Sequence, residues 1–313
     1  MSIQDAPLPA SAGKPDPARP DFRGRGVRPP EWIIFGFFAY LAAISPWFTE
    51  RPDLHHQPIE LLAGVAALIA LLVGLQRTRI SKVIDCIRDW IPLGLTLVAF
   101  RSMEIFIPAH FTHHYERVWL RWDQVLLGNW GLRHVIESLG WLIPGYLELC
   151  YLLVYGTGAF CLLVLYFVNR RRGIDTFYAI YLAGTLAAYA LFPYFPSQPP
   201  RMVFPHIDPP TISTIVREWN LWILRTGSIH SSVFPSAHVS SAFAAAWAML
   251  LIMPKRRRYG WALLIYAVSV SLATIYGRYH YAADVAAGFG ISVAAAVLFA
   301  VIRRKRSQRH TEV

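Results

Sequence analysis

The sequence predicts an all-α, polytopic integral membrane protein, a bundle of about eight transmembrane helices with both termini in the cytoplasm. Composition is the first observation, because 55% of the 313 residues are hydrophobic and 16% are charged, whereas a soluble domain is nearer a quarter charged. The second observation is a series of long apolar runs, and the third is the clustering of Lys and Arg between those runs. Since the cations form no single basic face, the net charge of +11 indicates membrane topology and not nucleic-acid binding.

The elements follow in order along the chain. Residues 1–30 are rich in Pro, Gly, Ala, Arg and Asp, which predicts a disordered cytoplasmic tail. The transmembrane domain is expected over 31–302, and the basic stretch 303–313 is expected to be a second cytoplasmic tail. Tryptophans among polar residues of 109–143 are typical of interfacial helices. The eight apolar segments, several of them near the lower length limit of about 17 residues for a spanning helix, are 31–48, 58–75, 90–108, 144–168, 175–194, 238–253, 260–276 and 283–302.

Loop charges give the orientation of these segments. Alternate connections, which include "QRTRISK", "NRRR" and "PKRRR", hold 21 Lys and Arg together with the two ends of the chain, whereas the opposite set of loops holds 8. The positive-inside rule then places both termini in the cytoplasm. The unusual ionisable residues of the chain consequently fall at the outward ends of their spans, and they are Arg101, Glu104, Glu148, His238, Arg278, His280 and Asp284.

The stretch "RYHYAADVAAG" opens the last apolar segment. His280 and Asp284 are four residues apart, which puts them on one face of a helix and suits a carboxylate that accepts from Nδ1–H of the imidazole. That contact leaves Nε2 with a lone pair for attack on an electrophile. Taken alone, the pair equally fits a polar cap at a helix end. Tyr279 and Tyr281 suit interfacial anchoring.

Two proline-containing stretches supply further candidates. In "FPSAHVSSAF" a helix beginning after Ser236 offers free N–H groups to a phosphate, and His238 stands beside them as a proton donor. In "FPSQPPRMVFP" the prolines stiffen the chain before Arg201, which joins Arg278 as a candidate clamp for phosphate oxygens. A simple Ser N-cap and an ordinary loop cation are the alternatives at Ser236 and Arg201.

Together, P-S-x-H at 235–238 and R-x-H-x-x-x-D at 278–284 resemble the type 2 phosphatidic acid phosphatase superfamily. The P-P-R segment and "GRYHYAAD" look closer to its branch of inositol phosphorylceramide and sphingomyelin synthases. The resemblance covers roughly residues 90–300 and implies that six of the helices form the phosphatase-like core.

The resemblance also implies roles. His280 would be the nucleophile that forms a phosphohistidine, Asp284 would orient it, and His238 would protonate the leaving group. The sequence departs from the phosphatase branch, which carries a lysine and an Arg-Pro pair in its first motif where this chain has "PPRMVFP". The phosphate-binding role of Arg201 therefore rests on position alone, with Arg278 and Ser236 as further phosphate ligands.

The remaining polar groups have weaker patterns. His110, His113 and His114 have a spacing that can bind zinc, but they lack a partner at a diagnostic distance along the chain and stay without an assigned role. Glu104 is expected to pair with Arg101, with Glu148 joining them, either as a structural brace or as a site for a polar acceptor alcohol. Cys86, Cys150 and Cys161 form no CxxC pair and are read as structural. The expected chemistry needs no metal or cofactor, because cations stabilise the phosphate.

The functional expectation is a membrane lipid phosphotransferase or phosphatase, with its site on the non-cytoplasmic face of a plasma or inner membrane. Its partners are a phospholipid or lipid phosphate and the bilayer. Transfer of a headgroup such as phosphoinositol to a lipid or alcohol and simple hydrolysis by water differ only in the acceptor, and both stay open. A transporter or lipid-binding protein that uses the polar cluster as a gate is the alternative of another class. Oligomeric state is not indicated.

Overall fold

The computed structural model describes residues 26–48, 56–227, 229 and 233–309. Every regular element within these ranges is helical, so the all-α class is confirmed for the described part of the chain. The α-helices are α1 (Pro29–Phe48), α2 (Gln57–Leu75), α3 (Ser81–Ser102), α4 (His114–Gln124), α5 (Leu132–Glu137), α6 (Leu142–Leu153), α7 (Thr157–Phe167), α8 (Ile174–Leu191), α9 (Pro200–Val203), α10 (Ile215–Gly227), α11 (Ala237–Ile252), α12 (Arg258–Tyr276) and α13 (Ala282–Arg309).

Six of the described helical stretches are long and apolar enough to cross a membrane, and the protein is an integral membrane protein. They correspond to α1, α2, α6 with α7, α8, α12 and α13. The two other predicted spans are also helical but differ from an ordinary span. Helix α3 begins with a polar half that contains Lys82, Asp85, Arg88 and Asp89, and α11 has only 16 residues, which is short for a 30 Å hydrocarbon layer.

Helix α11 lies at the centre of the bundle and packs against α8, α12 and α13. The helix is short, but half of its residues are Ala or Ser and all of these are buried, Ala244 and Ser240 among them. Small side chains allow the close helix approach that stabilises membrane bundles. A Cβ at Gly184 of α8 would lie 2.9 Å from Cβ of Ala244, so these two helices pack almost backbone to backbone.

A second close approach joins α13 to the start of α11. A Cβ added at Gly288 would lie 2.4 Å from the carbonyl oxygen of Ser236, whereas at Gly290 nothing lies within 4 Å. Gly288, two residues nearer the start of α13 than Gly290, therefore makes the close contact. The backbone N–H of Ser236 also donates to the carbonyl of Asp284 at 3.0 Å. The beginnings of the two helices are therefore held together.

The N-terminal parts of α1, α3 and α8 meet in a buried network of ion pairs. Asp89 binds Arg28 at 2.7 Å and Arg171 at 2.6 Å, and Arg88 binds Glu31 at 2.6 Å. Helix α8 runs from this network to the proline-containing segment that precedes Arg201. The network and the polar residues around His280 thus lie at opposite ends of the bundle.

The ends of the domain differ slightly from the predicted boundaries. Residues 1–25 of the expected N-terminal tail lie outside the described residues, but Arg28 is buried and α1 begins at Pro29. At the other end, α13 continues as a helix to Arg309, through the first part of the predicted basic tail.

Three short helices surround the opening of the bundle near His280. Helices α4 and α5 lie within 109–143, as predicted, and α10 is amphipathic, with Trp219 and Trp222 exposed and Asn220 buried. Of the tryptophans within 109–143, Trp122, Trp130 and Trp141 are exposed. Trp119 is buried and stacks on Phe234, with ring centroids 4.7 Å apart.

Candidate active site

The candidate site is built on the tight connection between α12 and α13. After α12 ends at Tyr276, the backbone N–H groups of Tyr279 and His280 both donate to the carbonyl of Thr274, at 2.9 and 3.0 Å. Arg278 has a left-handed backbone, with φ at 61°. This turn buries His280 and directs its ring into the bundle, between the first turns of α11 and α13.

The Nδ1 atom of His280 has two acceptors. It lies 2.9 Å from the Val233 carbonyl and 3.2 Å from Oδ2 of Asp284. The same carboxylate oxygen accepts from the backbone N–H of Tyr281 at 2.9 Å, which fixes its position. Because a carbonyl oxygen can only accept, Nδ1 carries the hydrogen and Nε2 of the neutral ring carries the lone pair.

His238 faces that lone pair from the first turn of α11. Its Nδ1 lies 3.1 Å from Nε2 of His280, and since Nε2 is the acceptor, His238 donates. The helix begins here because the Ser236 hydroxyl accepts from the backbone N–H of Val239 at 3.3 Å, as an N-cap does. Ser236 thus has a capping role in the structure, and its proximity to His238 follows from that role.

Arg278 precedes His280 by two residues and is 2% exposed. One of its terminal nitrogens binds Oδ2 of Asp123 at 2.5 Å, and the other carboxylate oxygen of Asp123 accepts from the backbone N–H of Ala282 at 2.8 Å. Nε and Nη2 of Arg278 are buried without a hydrogen-bond partner in the structure. Asp123 therefore fixes the direction of a guanidinium that retains two buried donors.

Arg201 reaches the same place from α9. Its backbone N–H donates to the carbonyl of Arg278 at 3.2 Å, and its guanidinium carbon lies 5.7 Å from the centroid of the Tyr279 ring. Burial lowers the pKa of Arg201 from its ordinary value, and the nearby Arg217 acts in the same direction. A partly desolvated cation of this kind interacts strongly with an anion.

Burial also lowers the pKa of His280 well below its ordinary value, and the positive charges of His238 and Arg201 add to the effect. The Val233 carbonyl opposes it by accepting from Nδ1. The neutral imidazole is consequently the favoured form of His280, and this form can act as a nucleophile.

These groups combine a neutral imidazole, a second histidine at hydrogen-bond distance, and two arginines. A family model described as the PAP2 superfamily matches residues 118–298, which is more than half of the chain and includes all of these groups. The chain belongs to the PAP2 superfamily. No curated protein and no solved structure matches it.

Membership of the PAP2 superfamily fits a phosphatase-type enzyme that acts on lipid phosphates, in agreement with the coarser part of the functional expectation. The match begins in α4, later than the resemblance expected from about residue 90. Helices α1, α2 and α3 precede the matched region. The narrower assignment to the inositol phosphorylceramide and sphingomyelin synthase branch stays a prediction.

Glu148 is brought to the edge of the site, and its partners differ from those expected. It binds Arg217 of α10 at 2.7 Å and accepts from the Tyr279 hydroxyl at 2.6 Å and from Nδ2 of Asn220 at 2.8 Å. Arg101 instead donates to the Gly227 carbonyl at 3.1 Å. Glu148 thus ties α6, α10 and the turn before His280 together.

Glu104 occupies another part of the bundle. It lies in the 3-10 helix Met103–Phe106, which packs against the short helix Phe192–Tyr194. The structure therefore separates the two glutamates that the sequence grouped as a candidate acceptor site.

Several site residues were missed by sequence reasoning. Asp123 lies in a polar interfacial stretch with no distinguishing pattern, and Tyr151 lies within an ordinary apolar run. The expectation of interfacial anchoring for Tyr279 and Tyr281 is wrong, because both are buried. Tyr279 stacks on Tyr151, with ring centroids 4.0 Å apart. Tyr279 and Tyr281 flank His280 in the sequence, and this position was the available sign that they belong to the site.

The remaining candidates lie apart from the histidine pair. Nδ1 of His113 is 3.2 Å from Glu116, and His110 and His114 are exposed. Among the described residues, no group of three or more His, Cys, Asp or Glu side chains is placed to hold a metal ion. Cys86, Cys150 and Cys161 are free thiols, the first exposed and the other two buried.

Proposed function

We propose that the protein is a lipid phosphotransferase or phosphatase that works through a covalent phosphohistidine on His280. The observation that carries the proposal is the distance of 3.1 Å between Nδ1 of His238 and Nε2 of His280. A phosphoester that separates the two rings and enters between them would present phosphorus to Nε2 and its leaving oxygen, on the opposite side of phosphorus, to Nδ1 of His238. On the opposite side of the His280 ring, Oδ2 of Asp284 lies 3.2 Å from Nδ1.

In the first step, Nε2 of His280 attacks phosphorus and the bond from phosphorus to the ester oxygen breaks. His238 enters this step as the imidazolium and gives its Nδ1 proton to the departing alkoxide. The Asp284 carboxylate stabilises the positive charge that develops on the His280 ring. Arg278 and Arg201 bind the phosphate oxygens, which bear the developing negative charge.

In the second step, an acceptor hydroxyl attacks the phosphohistidine and the bond between phosphorus and nitrogen breaks. His238, now neutral, takes the proton of the acceptor. Water as the acceptor gives hydrolysis, and an alcohol such as inositol or a lipid hydroxyl gives transfer. Arg201 and Val233, in the long connection between α8 and α11, lie beside His280, and exclusion of water by this connection would favour transfer.

The membrane placement belongs to the same proposal. Helices α3 and α11 complete eight crossings, both termini face the cytoplasm, and the site lies near the outer face of a plasma or inner membrane. The distribution of Lys and Arg between alternate connections supports this orientation,. A lipid phosphate would then enter from the outer leaflet, while the ion-pair network around Asp89 would lie on the cytoplasmic side.

The test is phosphate release and headgroup transfer by the purified protein in lipid nanodiscs, with phospholipid supplied in the presence and absence of inositol. We expect His280→Ala to reduce turnover by at least about a thousandfold, as removal of a catalytic nucleophile does. Radiolabel from the phosphate should appear as acid-labile phosphohistidine in the native protein and not in this variant.

His110→Ala, in an exposed loop, is the matched control and should keep native turnover. Full turnover in the His280→Ala protein would contradict the phosphohistidine mechanism. Free phosphate without a new phosphodiester in the presence of inositol would assign the enzyme to hydrolysis.

A further inference from the structure

A cavity of about 490 Å³ adjoins the candidate active site. Helix α10 forms one wall and the segment that contains α9 forms another. Its charged lining residues are four arginines and no carboxylate, namely Arg201, Arg217, Arg225 and Arg278. Arg278 is buried, Arg201 and Arg217 are half-buried, and Arg225 is exposed. A pocket lined in this way attracts anions, because guanidinium groups bind phosphate and carboxylate oxygens through charge-assisted hydrogen bonds.

The carboxylates around the cavity balance only half of this charge. Glu148 binds Arg217, and Asp123 binds Arg278. Within the described part of the chain, no carboxylate lies within ion-pair distance of Arg201 or Arg225. Two guanidinium charges thus remain, beside the two buried and unpartnered donors of Arg278.

The four arginines form two groups. Arg201 and Arg278 are joined through their backbones and lie beside the histidines. Arg217 and Arg225 belong to α10, and their spacing of eight residues places their backbones about 12 Å apart along the helix axis. Arg217 donates to the Gly277 carbonyl at 3.3 Å, next to the turn that carries His280. Arg225 is therefore the arginine of α10 that lies farther from this turn.

We propose that Arg225, together with Arg217, binds a second anionic group of the substrate, separated from the reacting phosphate by a polyol or sugar headgroup. This assignment rests on the proposed function, since it takes Arg201 and Arg278 to hold the reacting phosphate. The substrate class is therefore a lipid phosphoester whose headgroup itself carries a phosphate or a carboxylate. A polyol or sugar headgroup would extend from the reacting phosphate toward α10. Its second charge would neutralise the excess positive charge of the arginines on that helix.

Binding can be measured apart from turnover. The full chain in nanodiscs would be titrated calorimetrically with inorganic phosphate, pyrophosphate and an inositol bisphosphate whose phosphates lie on opposite sides of the ring. We expect the bisphosphate to bind about tenfold more tightly than phosphate, the gain typical of one further charge-assisted contact. Arg225→Gln should remove most of this advantage and leave the affinity for inorganic phosphate within about twofold.

Arg121→Gln is the matched control, since Arg121 is an exposed cation on α4 that does not line the cavity. It should leave all three affinities unchanged. Equal binding of phosphate and bisphosphate, or equal losses in the two variants, would overturn the assignment. An advantage confined to pyrophosphate would place both anions on Arg201 and Arg278 and would also overturn it. Failure of the phosphohistidine mechanism would appear instead as retained turnover in His280→Ala.

Discussion

At the scale of single residues, the histidine pair depends on hydrogen bonds that fix each ring. Nδ1 of His280 donates toward Val233 and Asp284, so Nε2 is left to face His238. Arg278 is fixed in a comparable way by Asp123. Neighbours thus hold the Asp284 side of the His280 ring and the Arg278 guanidinium in fixed directions, which is a condition for electrostatic stabilisation of a transition state.

The charge state of His280 gives a prediction for pH. Burial, His238 and Arg201 lower its pKa, while Asp284 faces the same ring and favours the charged form. We expect histidine NMR to show His280 still neutral at pH 6.5, the ordinary midpoint of a histidine. Arg201→Gln removes a positive charge and should raise the pKa of His280 toward that ordinary value.

The lowered pKa of His280 also predicts how the free energy of unfolding depends on pH. Below about pH 6.5 the unfolded chain binds the proton more readily than the folded one, so the free energy of unfolding falls as the pH drops through this range. His110→Ala, which removes an exposed histidine, provides the NMR control. An unchanged His280 titration in Arg201→Gln would contradict the contribution of that arginine.

At the scale of the elements, the register between α11 and α13 brings His238 and His280 together. Gly288 permits it, since a Cβ there would lie 2.4 Å from the Ser236 carbonyl oxygen. A backbone atom cannot move aside as the end of a flexible side chain can. The N-terminal turns of the two helices must therefore separate if any side chain is added at this position.

Gly288→Ala should destabilise the protein by about 1–3 kcal/mol, the usual range for overpacking, and should reduce turnover at least about tenfold by moving His238 away from His280. Thermal unfolding and phosphate release in nanodiscs measure the two effects. Gly290→Ala is the matched control on the same helix, where nothing lies within 4 Å of the added Cβ. Similar behaviour of the two variants would show that the close approach is unimportant.

At the scale of the whole molecule, the bundle carries charged clusters at its two ends. The cluster beside His280 has an excess of guanidinium groups, whereas the network around Asp89 pairs its arginines with carboxylates. Helix α8 spans the distance between them. Since each arginine of the second cluster is paired with a carboxylate, we expect that cluster to contribute to stability, and we assign substrate binding to the first.

Asp89→Asn tests this division. Asp89 is fully buried and accepts from Arg28, Arg171 and the Tyr166 hydroxyl, so loss of its charge should cost about 3–5 kcal/mol, as the breaking of a buried ion pair does. Unfolding measurements should show this loss, while the KM of the enzyme stays native because the site is at the other end. Asp85→Asn is the control. Its side chain is 26% exposed and binds Arg28, so we expect a loss of about 1 kcal/mol. Equal losses would contradict the argument.

The sequence by itself determined the helical membrane class, the approximate positions of the helices, and the local pair of His280 and Asp284. These features depend on apolar run length and on a spacing of four residues, which are properties of one segment at a time. The two motifs also made both histidines candidates, and the structure brings them within 3.1 Å of each other.

Only the tertiary structure decided the partners that come from distant segments. Asp123 and Arg278 are 155 residues apart in the chain, and Glu148 and Arg217 are 69 apart. Neither pair has a pattern in the sequence, because their meeting depends on the register of packed helices. The separation of Glu104 from Glu148 and the burial of Tyr279 have the same cause. Helix packing brings together side chains that no local spacing relates, and it completed the site around His280.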